Sequence, residues 1–177
     1  MSVFADPKHD LIDGISVSLR EQVQQGDLVA VRGITESGGF FQAEEIEVAA
    51  ELVQARLSQG TASGYYFLFA DAAPPVSRTI GYSCFGPIPC TQASFDLYWI
   101  AVHDSYRRIG LGRLLLAESE GVIRRMAGRR IYVETSSRGQ YEPTRAFYNR
   151  NGYRQEALIP EFYAPGDGKI IYVKELQ

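Results

Sequence analysis

Apolar residues recur at three- and four-residue steps between Ala43 and Leu57, where Ile46, Ala49, Ala50, Val53 and Leu57 predict an amphipathic helix. Ser58-Gln59-Gly60 ends it. A second stripe, Leu111, Leu115, Val122 and Met126, predicts a longer helix from about Leu111 to Met126, with Gly128 as its C-cap. Pro143 opens a third helix as a first-turn proline and Asn151-Gly152 closes it. Between these, β-branched and aromatic runs predict strands. Leu28 to Ile34 reads as the first, followed by Tyr65 to Ala70, Arg78 to Phe85, Phe95 to Val102 and Ile131 to Thr135. Tyr153 to Tyr163 contains another, and Ile170 to Glu175 is the last, with Pro165-Gly166-Asp167-Gly168 as the turn between them. Phe95 to Val102 is nearly all apolar, which suits a strand buried on both faces. The order β-α-β-β-β-α-β-α-β-β predicts an α/β fold, a mixed sheet with helices on both faces. Residues 1–24 read as a weakly structured lead-in to a single domain spanning 1–177.

Composition narrows the class. The chain has 177 residues, 45% of them hydrophobic and 22% charged, so it carries enough apolar material for a real core and is not a disordered tail. The formal net charge is -3, which argues against a cationic nucleic-acid or membrane surface. No apolar run approaches the ~20 residues of a membrane span, and the first thirty residues lack the apolar core of a signal peptide. Cys84 and Cys90 sit close enough for a disulfide, yet a reduced, cytoplasmic setting is the better reading. Neither has a nearby histidine, so no nucleophile pair or metal site is expected.

The chemistry concentrates between the apolar strand and the long helix, in Val102-His-Asp-Ser-Tyr-Arg107-Arg108-Ile109-Gly110-Leu111-Gly112-Arg113. A helix start presents unpaired N–H groups at the positive end of the peptide dipoles. Gly110 and Gly112 let a phosphate approach those amides, and Arg107, Arg108 and Arg113 add charge around the same point. A kinase-type phosphate loop would end in Gly-Lys-Ser/Thr, which is missing. A dinucleotide fold would show three spaced glycines and a later acidic residue. The bland alternative is a helix end decorated with solvated arginines.

Arg-x-x-Gly-x-Gly after a strand ending in Val, followed about thirty-five residues later by Ala146-Phe147-Tyr148-Asn149-Arg150-Asn151-Gly152-Tyr153, resembles the GNAT superfamily of acyl-CoA-dependent N-acyltransferases. The close match covers residues 95–176. The resemblance implies a mostly antiparallel sheet of about seven strands, splayed between the fourth and fifth. It implies that acetyl-coenzyme A is the co-substrate, its pyrophosphate held by the amides of Arg107, Arg108, Ile109, Gly110, Leu111, Gly112 and Arg113. The pantetheine arm would pair with the main chains of Ile100 and Val102, and an N–H near Ile100 would polarise the thioester carbonyl. Tyr148 occupies the place of the family's acid. One departure stands out: many members carry Asn seven residues before that tyrosine, where this chain has Tyr141.

An alkyl amine with a pKa of about 10.4 must lose a proton before attack. Glu134 is the acidic residue inside Ile131 to Thr135, and a carboxylate in a helix-covered sheet needs a reason. It is the first candidate base, with pairing to Arg145 or Arg107 as the alternative, and Asp96 is the second candidate. His103 reads as a loop residue, and His9 takes no role. The expected activity is acetyl transfer from acetyl-CoA to the primary amine of a small molecule, by direct attack in a ternary complex. An amino-acid-like acceptor is favoured because the net charge does not demand a polycation. A protein or peptide acetyltransferase and a non-catalytic acyl-CoA sensor are the alternatives. Exposed strand ends near the last hairpin leave room for a homodimer.

Overall fold

The computed structural model describes residues 9–177. Eight strands form one sheet in the order β1-β2-β3-β4-β5-β6-β8-β7. They are β1 (His9–Ile12), β2 (Ile15–Arg20), β3 (Tyr66–Ala72), β4 (Arg78–Pro87), β5 (Ser94–Val102), β6 (Arg130–Ser136), β7 (Arg154–Ala164) and β8 (Asp167–Glu175). The four helices are α1 (Asp27–Ser37), α2 (Ala43–Gln59), α3 (Leu111–Arg125) and α4 (Glu142–Arg150). The β1–β2, β2–β3, β3–β4, β6–β8 and β7–β8 pairs are antiparallel and β5–β6 is parallel, so the fold is the mixed, mostly antiparallel α/β class expected, with eight strands among the described residues rather than about seven.

Two sequence expectations fail at the N-terminal end. Leu28 to Ile34 is not a strand but the middle of α1. Asp27, Val31, Ile34 and Thr35 are its buried positions, a helical spacing that β-branched composition concealed. Strand propensity is weak against a whole apolar face seeking cover. The lead-in is likewise structured from His9 on: β1 and β2 form an antiparallel hairpin, and β2 continues onto β3. The part of that expectation covering residues 1–8 lies outside the described residues.

The chain divides into two compact units, Met1–Phe85 with Trp99–Ser119, and Gly86–Tyr98 with Glu120–Gln177. In the first unit, Val31 and Ile34 of α1 and Ala49 and Val53 of α2 bury against Phe67, Phe69, Tyr82 and Cys84. A capping box between Gln42 and Glu45 starts α2. Thr35 anchors α1 to the sheet through a 2.9 Å hydrogen bond with the buried Tyr82 hydroxyl. Arg20 joins three elements: it pairs with Asp27 of α1 at 2.9 Å and with Asp71 of β3 at 2.8 Å, and lies over the Phe69 ring. On the neighbouring positions of β4, Ser83 hydrogen-bonds Ser119 of α3 at 2.7 Å, so helices cover both faces of this unit.

In the second unit one sheet face is covered. Tyr148 of α4 packs on Tyr172 of β8, and Lys174 of β8 reaches Glu120 of α3. Ile131 and Val133 of β6 are buried on this side. Cross-strand register puts Asp96, Tyr132, Glu134 and Lys169 on the opposite face.

Candidate active site

In the first unit β5 ends at Val102, and Asp104–Tyr106 makes one 3-10 turn. His103 caps that turn, its Nδ1 accepting the Ser105 amide at 3.3 Å, and Ser37 Oγ of α1 accepts the Asp104 amide at 3.0 Å. Its ring is therefore a loop cap, as its sequence position implied. Burial, reinforced by Arg78, holds the His103 imidazole below its ordinary pKa. The chain then takes left-handed conformations at Arg108 (φ 66°) and Gly110 (φ 96°) before α3 begins at Leu111. Two left-handed residues this close turn the chain sharply into the start of α3, whose N-terminus suits an anion. The first amides of α3 are unpaired within the helix and lie at its positive end. Gly110 adopts its conformation freely, whereas a residue with a Cβ, such as Arg108, accepts about 1–2 kcal/mol of strain.

The three arginines of this loop differ. Arg108 and Arg113 are exposed. The Arg107 guanidinium is engaged: it pairs with Asp104 at 3.3 Å, donates to the Val102 carbonyl at 3.5 Å and lies 5.0 Å from the centre of the Phe40 ring. Arg107 thus contributes an amide to the loop while its side chain braces it.

β5 is only briefly paired on its β6 side. Parallel register holds for Ser94, Phe95 and Asp96, then stops, although β5 continues to Val102 and β6 to Ser136. This is the splay expected between the fourth and fifth strands of the sequence reading. It leaves the main chain around Ile100 and Val102 without a β6 ladder.

In the second unit Tyr148 is 4% exposed and its ring contacts Phe147, Tyr153 and Tyr172 at centroid distances of 5.4, 5.5 and 5.9 Å. Burial pushes its hydroxyl well above the ordinary tyrosine pKa. Behind it, Lys174 Nζ bonds both Glu120 oxygens at 2.7 and 2.8 Å and the Asn151 carbonyl at 2.9 Å, which fixes the end of α4. Tyr141 immediately precedes α4.

Glu134 departs from the expectation of a carboxylate enclosed by helices. Its side chain is 49% exposed and lies on the face of β6 opposite Ile131 and Val133. Neither Arg145 nor Arg107 is its partner. Arg145 donates to the carbonyls of Ser136 and Arg138, and Glu134 pairs with Lys169 Nζ at 2.6 Å. Asp96 stands on the same face, half-buried. Desolvation raises its pKa, the Glu134 charge raises it further, and Lys169 acts in the opposite sense.

A family model of the acetyltransferase (GNAT) domain matches residues 62–155, more than half of the chain. Among solved structures, a GNAT-family protein from Desulfovibrio desulfuricans shares 46% sequence identity at a TM-score of 0.87, over 90% of this chain and 98% of that one. This chain belongs to the GNAT family of acetyltransferases. It is accordingly an acyl-CoA-dependent N-acyltransferase. Two more distant structures share the fold. The PaiA N-acetyltransferase of Thermoplasma acidophilum, in complex with coenzyme A, is 18% identical at a TM-score of 0.67, covering 91% of this chain and 99% of its own. A Salmonella typhimurium protein, yncA, solved with its cofactor acetyl-CoA, is 17% identical at a TM-score of 0.69, covering 91% and 94%. No curated protein matches the chain.

Within this GNAT domain, sequence reasoning missed two residues. Lys169 is a lone cation entering the apolar Ile170-Ile171-Tyr172-Val173 run, and that pattern was its only local signal. Gly38, which accommodates the Arg107 guanidinium, lies in a Ser37-Gly38-Gly39 stretch that carries no local sign of that contact. No helix among the described residues is long and apolar enough to cross a membrane.

Proposed function

We propose that the whole chain acts as one domain that transfers the acetyl group of acetyl-CoA to the primary amine of a small molecule, by direct attack within a ternary complex. The observation that carries the cofactor half is the left-handed turn at Arg108 and Gly110 opening a fifteen-residue helix. The amides of Arg107 to Arg113 hold the pyrophosphate. The main chains of Ile100 and Val102 receive the pantetheine arm, an arrangement supported by the absence of a β6 ladder beside them. An N–H near Ile100 stabilises the charge that grows on the thioester oxygen.

Tyr148 protonates the departing thiolate. Burial keeps its phenol neutral at working pH, the state a proton donor requires. The amine's proton goes to a carboxylate on the shared face of β5 and β6, Glu134 or Asp96. Two carboxylates on that face favour a cationic acceptor, and the chain's modest charge favours a compact, amino-acid-like one. A cytoplasmic setting suits both the co-substrate and the free thiols Cys84 and Cys90. The test is an amine panel of amino acids, a polyamine and an aminosugar, incubated with acetyl-CoA and read by release of free thiol. Turnover with the small amines is the expected result. Turnover only with peptides would move the acceptor to proteins, and binding of acetyl-CoA with no transfer to any amine would make the chain a sensor.

A further inference from the structure

α4 carries Tyr148 on nine residues, too few to hold a helix by their own hydrogen bonds. Tyr148 is its one buried residue, against four in α1 and three in α2, so apolar burial does little to fix where it lies. Its first turn receives no side-chain cap from Tyr141 and contains Pro143. The position of α4 is set instead at its two ends. At the C-terminal end Lys174 holds the Asn151 carbonyl at 2.9 Å. At the N-terminal end the anchor is Asp167, the first residue of β8 and only 6% exposed.

The Asp167 carboxylate accepts the Ser136 hydroxyl at 2.5 Å and pairs with Arg138 Nε at 3.3 Å. Ser136 Oγ in turn accepts the Arg138 amide at 3.0 Å, so one buried charge draws both residues through a chain of polarised bonds. Beside it the Ser137 amide donates to the Gly168 carbonyl at 2.8 Å, and the Gly168 amide to Ser137 Oγ at 2.7 Å. Arg145 of α4 completes the series, donating to the carbonyls of Ser136 and Arg138 at 2.9 and 2.8 Å. Bonds therefore run unbroken from a buried carboxylate of β8, through the end of β6, to the first turn of α4. Taking a carboxylate out of water is unfavourable unless its bonds repay it, and an apolar residue serves bare stability as well. What Asp167 contributes is position.

We propose that Asp167 is a positioning residue for the transfer reaction: through Ser136, Arg138 and Arg145 it fixes the approach to α4 and so holds the Tyr148 hydroxyl where the thiolate departs. This rests on the reading of Tyr148 as the acid of an amine acetyltransferase. Asp167 touches no reacting group and moves no proton. It governs how often the phenol stands within hydrogen-bond reach of the leaving sulfur, and a displacement of about 1 Å in such support costs up to about a hundredfold in rate.

A double-mutant cycle on kcat tests this, with whichever panel amine wild type turns over fastest. Asp167→Asn keeps the size of the side chain but leaves one acceptor oxygen for the Ser136 and Arg138 donors. It should lower kcat about ten- to a hundredfold with the acetyl-CoA dissociation constant unchanged. In a Tyr148→Phe background the same substitution should change kcat less than about twofold, because the group it positions is gone. Losses that multiply would overturn the proposal, since Asp167 would then act on something other than the phenol. Full turnover in a folded Asp167→Asn would overturn it as well. If that variant fails to fold, Arg138→Ala removes only the exposed half of the clamp and carries the same cycle, with a smaller loss expected. Amide hydrogen exchange reads the clamp without turnover. In Asp167→Asn, residues 142–150 should exchange about tenfold faster while β6 and β8 keep their protection. Equal acceleration throughout would reduce Asp167 to general stabilisation and sink the idea. Full turnover in Tyr148→Phe alone would refute the acid reading and with it the catalytic purpose assigned to Asp167, whereas exchange confined to α4 would still show that the clamp exists.

Discussion

The guanidinium of Arg107 fills the space a Cβ on Gly38 would occupy, so the end of α1 and the loop that opens α3 are interlocked. The Phe40 ring completes the contact from the same α1–α2 connection. Gly38 has an ordinary helical φ of -83°, so its glycine character answers to this close approach and not to backbone conformation. In Gly38→Ala the far end of a flexible side chain must move, which costs little stability, and the melting temperature should change by only a few degrees. The brace on the loop is lost, and the acetyl-CoA dissociation constant should rise about three- to tenfold. Calorimetry with acetyl-CoA checks this, and unchanged affinity would show that Arg107 does not organise the loop.

Gly112→Val places a branched side chain among the first amides of α3. Acetyl-CoA should bind at least tenfold more weakly, equivalent to ~1.4 kcal/mol. Gly110→Ala tests the loop by another route. At φ 96° a Cβ meets open space but a strained backbone, so the expected cost is about 1–2 kcal/mol of stability, read by denaturant unfolding. A folded Gly112→Val protein with wild-type affinity would remove the pyrophosphate from this loop.

Tyr148→Phe should lower kcat by about ten- to a thousandfold and leave acetyl-CoA affinity alone, because a thiolate departs tolerably without an acid. Full turnover would show that water protonates the thiolate. The same variant carries a pH signature in stability. The native phenol titrates above the unfolded value of about 10, so above that pH the unfolded chain has lost a proton the native one retains. Wild type should therefore lose stability with rising pH from about 10 upward, and Tyr148→Phe should lose about 1.4 kcal/mol less per pH unit. Equal slopes in urea titrations at pH 10 and 11 would show that the hydroxyl ionises freely.

Lys174→Met leaves Glu120, 5% exposed, without its main partner, and frees the Asn151 carbonyl at the end of α4. Truncating one member of a buried pair strands the other charge, and the expected loss is about 3 kcal/mol in denaturant unfolding. Turnover should also fall, since the segment positioning Tyr148 loosens. A loss below about 1 kcal/mol would mean that water reaches Glu120 and satisfies it.

Where structure depends on residues near in sequence, the chain alone decided it. The apolar Phe95–Val102 strand, the Leu111–Leu115–Val122 stripe and the glycines before it are local patterns, so β5, α3 and the candidate cofactor loop were legible, as was the helix carrying Phe147-Tyr148. Short-range information failed where two local preferences competed. Val29, Val31 and Ile34 favoured a strand, and only the sheet surface offered to Val31, Ile34 and Thr35 made a helix the better burial. The β1–β2 hairpin did carry a local signal, Asp13-Gly14 followed by the alternating Ile15-Ser16-Val17-Ser18-Leu19-Arg20, which the reading of residues 1–24 as a lead-in passed over. The Glu134–Lys169 contact joins residues thirty-five apart, and nothing local selects it. The register of β6 against β8 does, by opposing Ser136 to Lys169 and setting Glu134 diagonally beside the lysine on one face of the sheet. Asp96 owes its lack of a partner to the same tertiary decision. The sheet parts just beyond it, because β5 pairs with β6 for three residues only, and a carboxylate identical in sequence terms to any other is left half-buried and open.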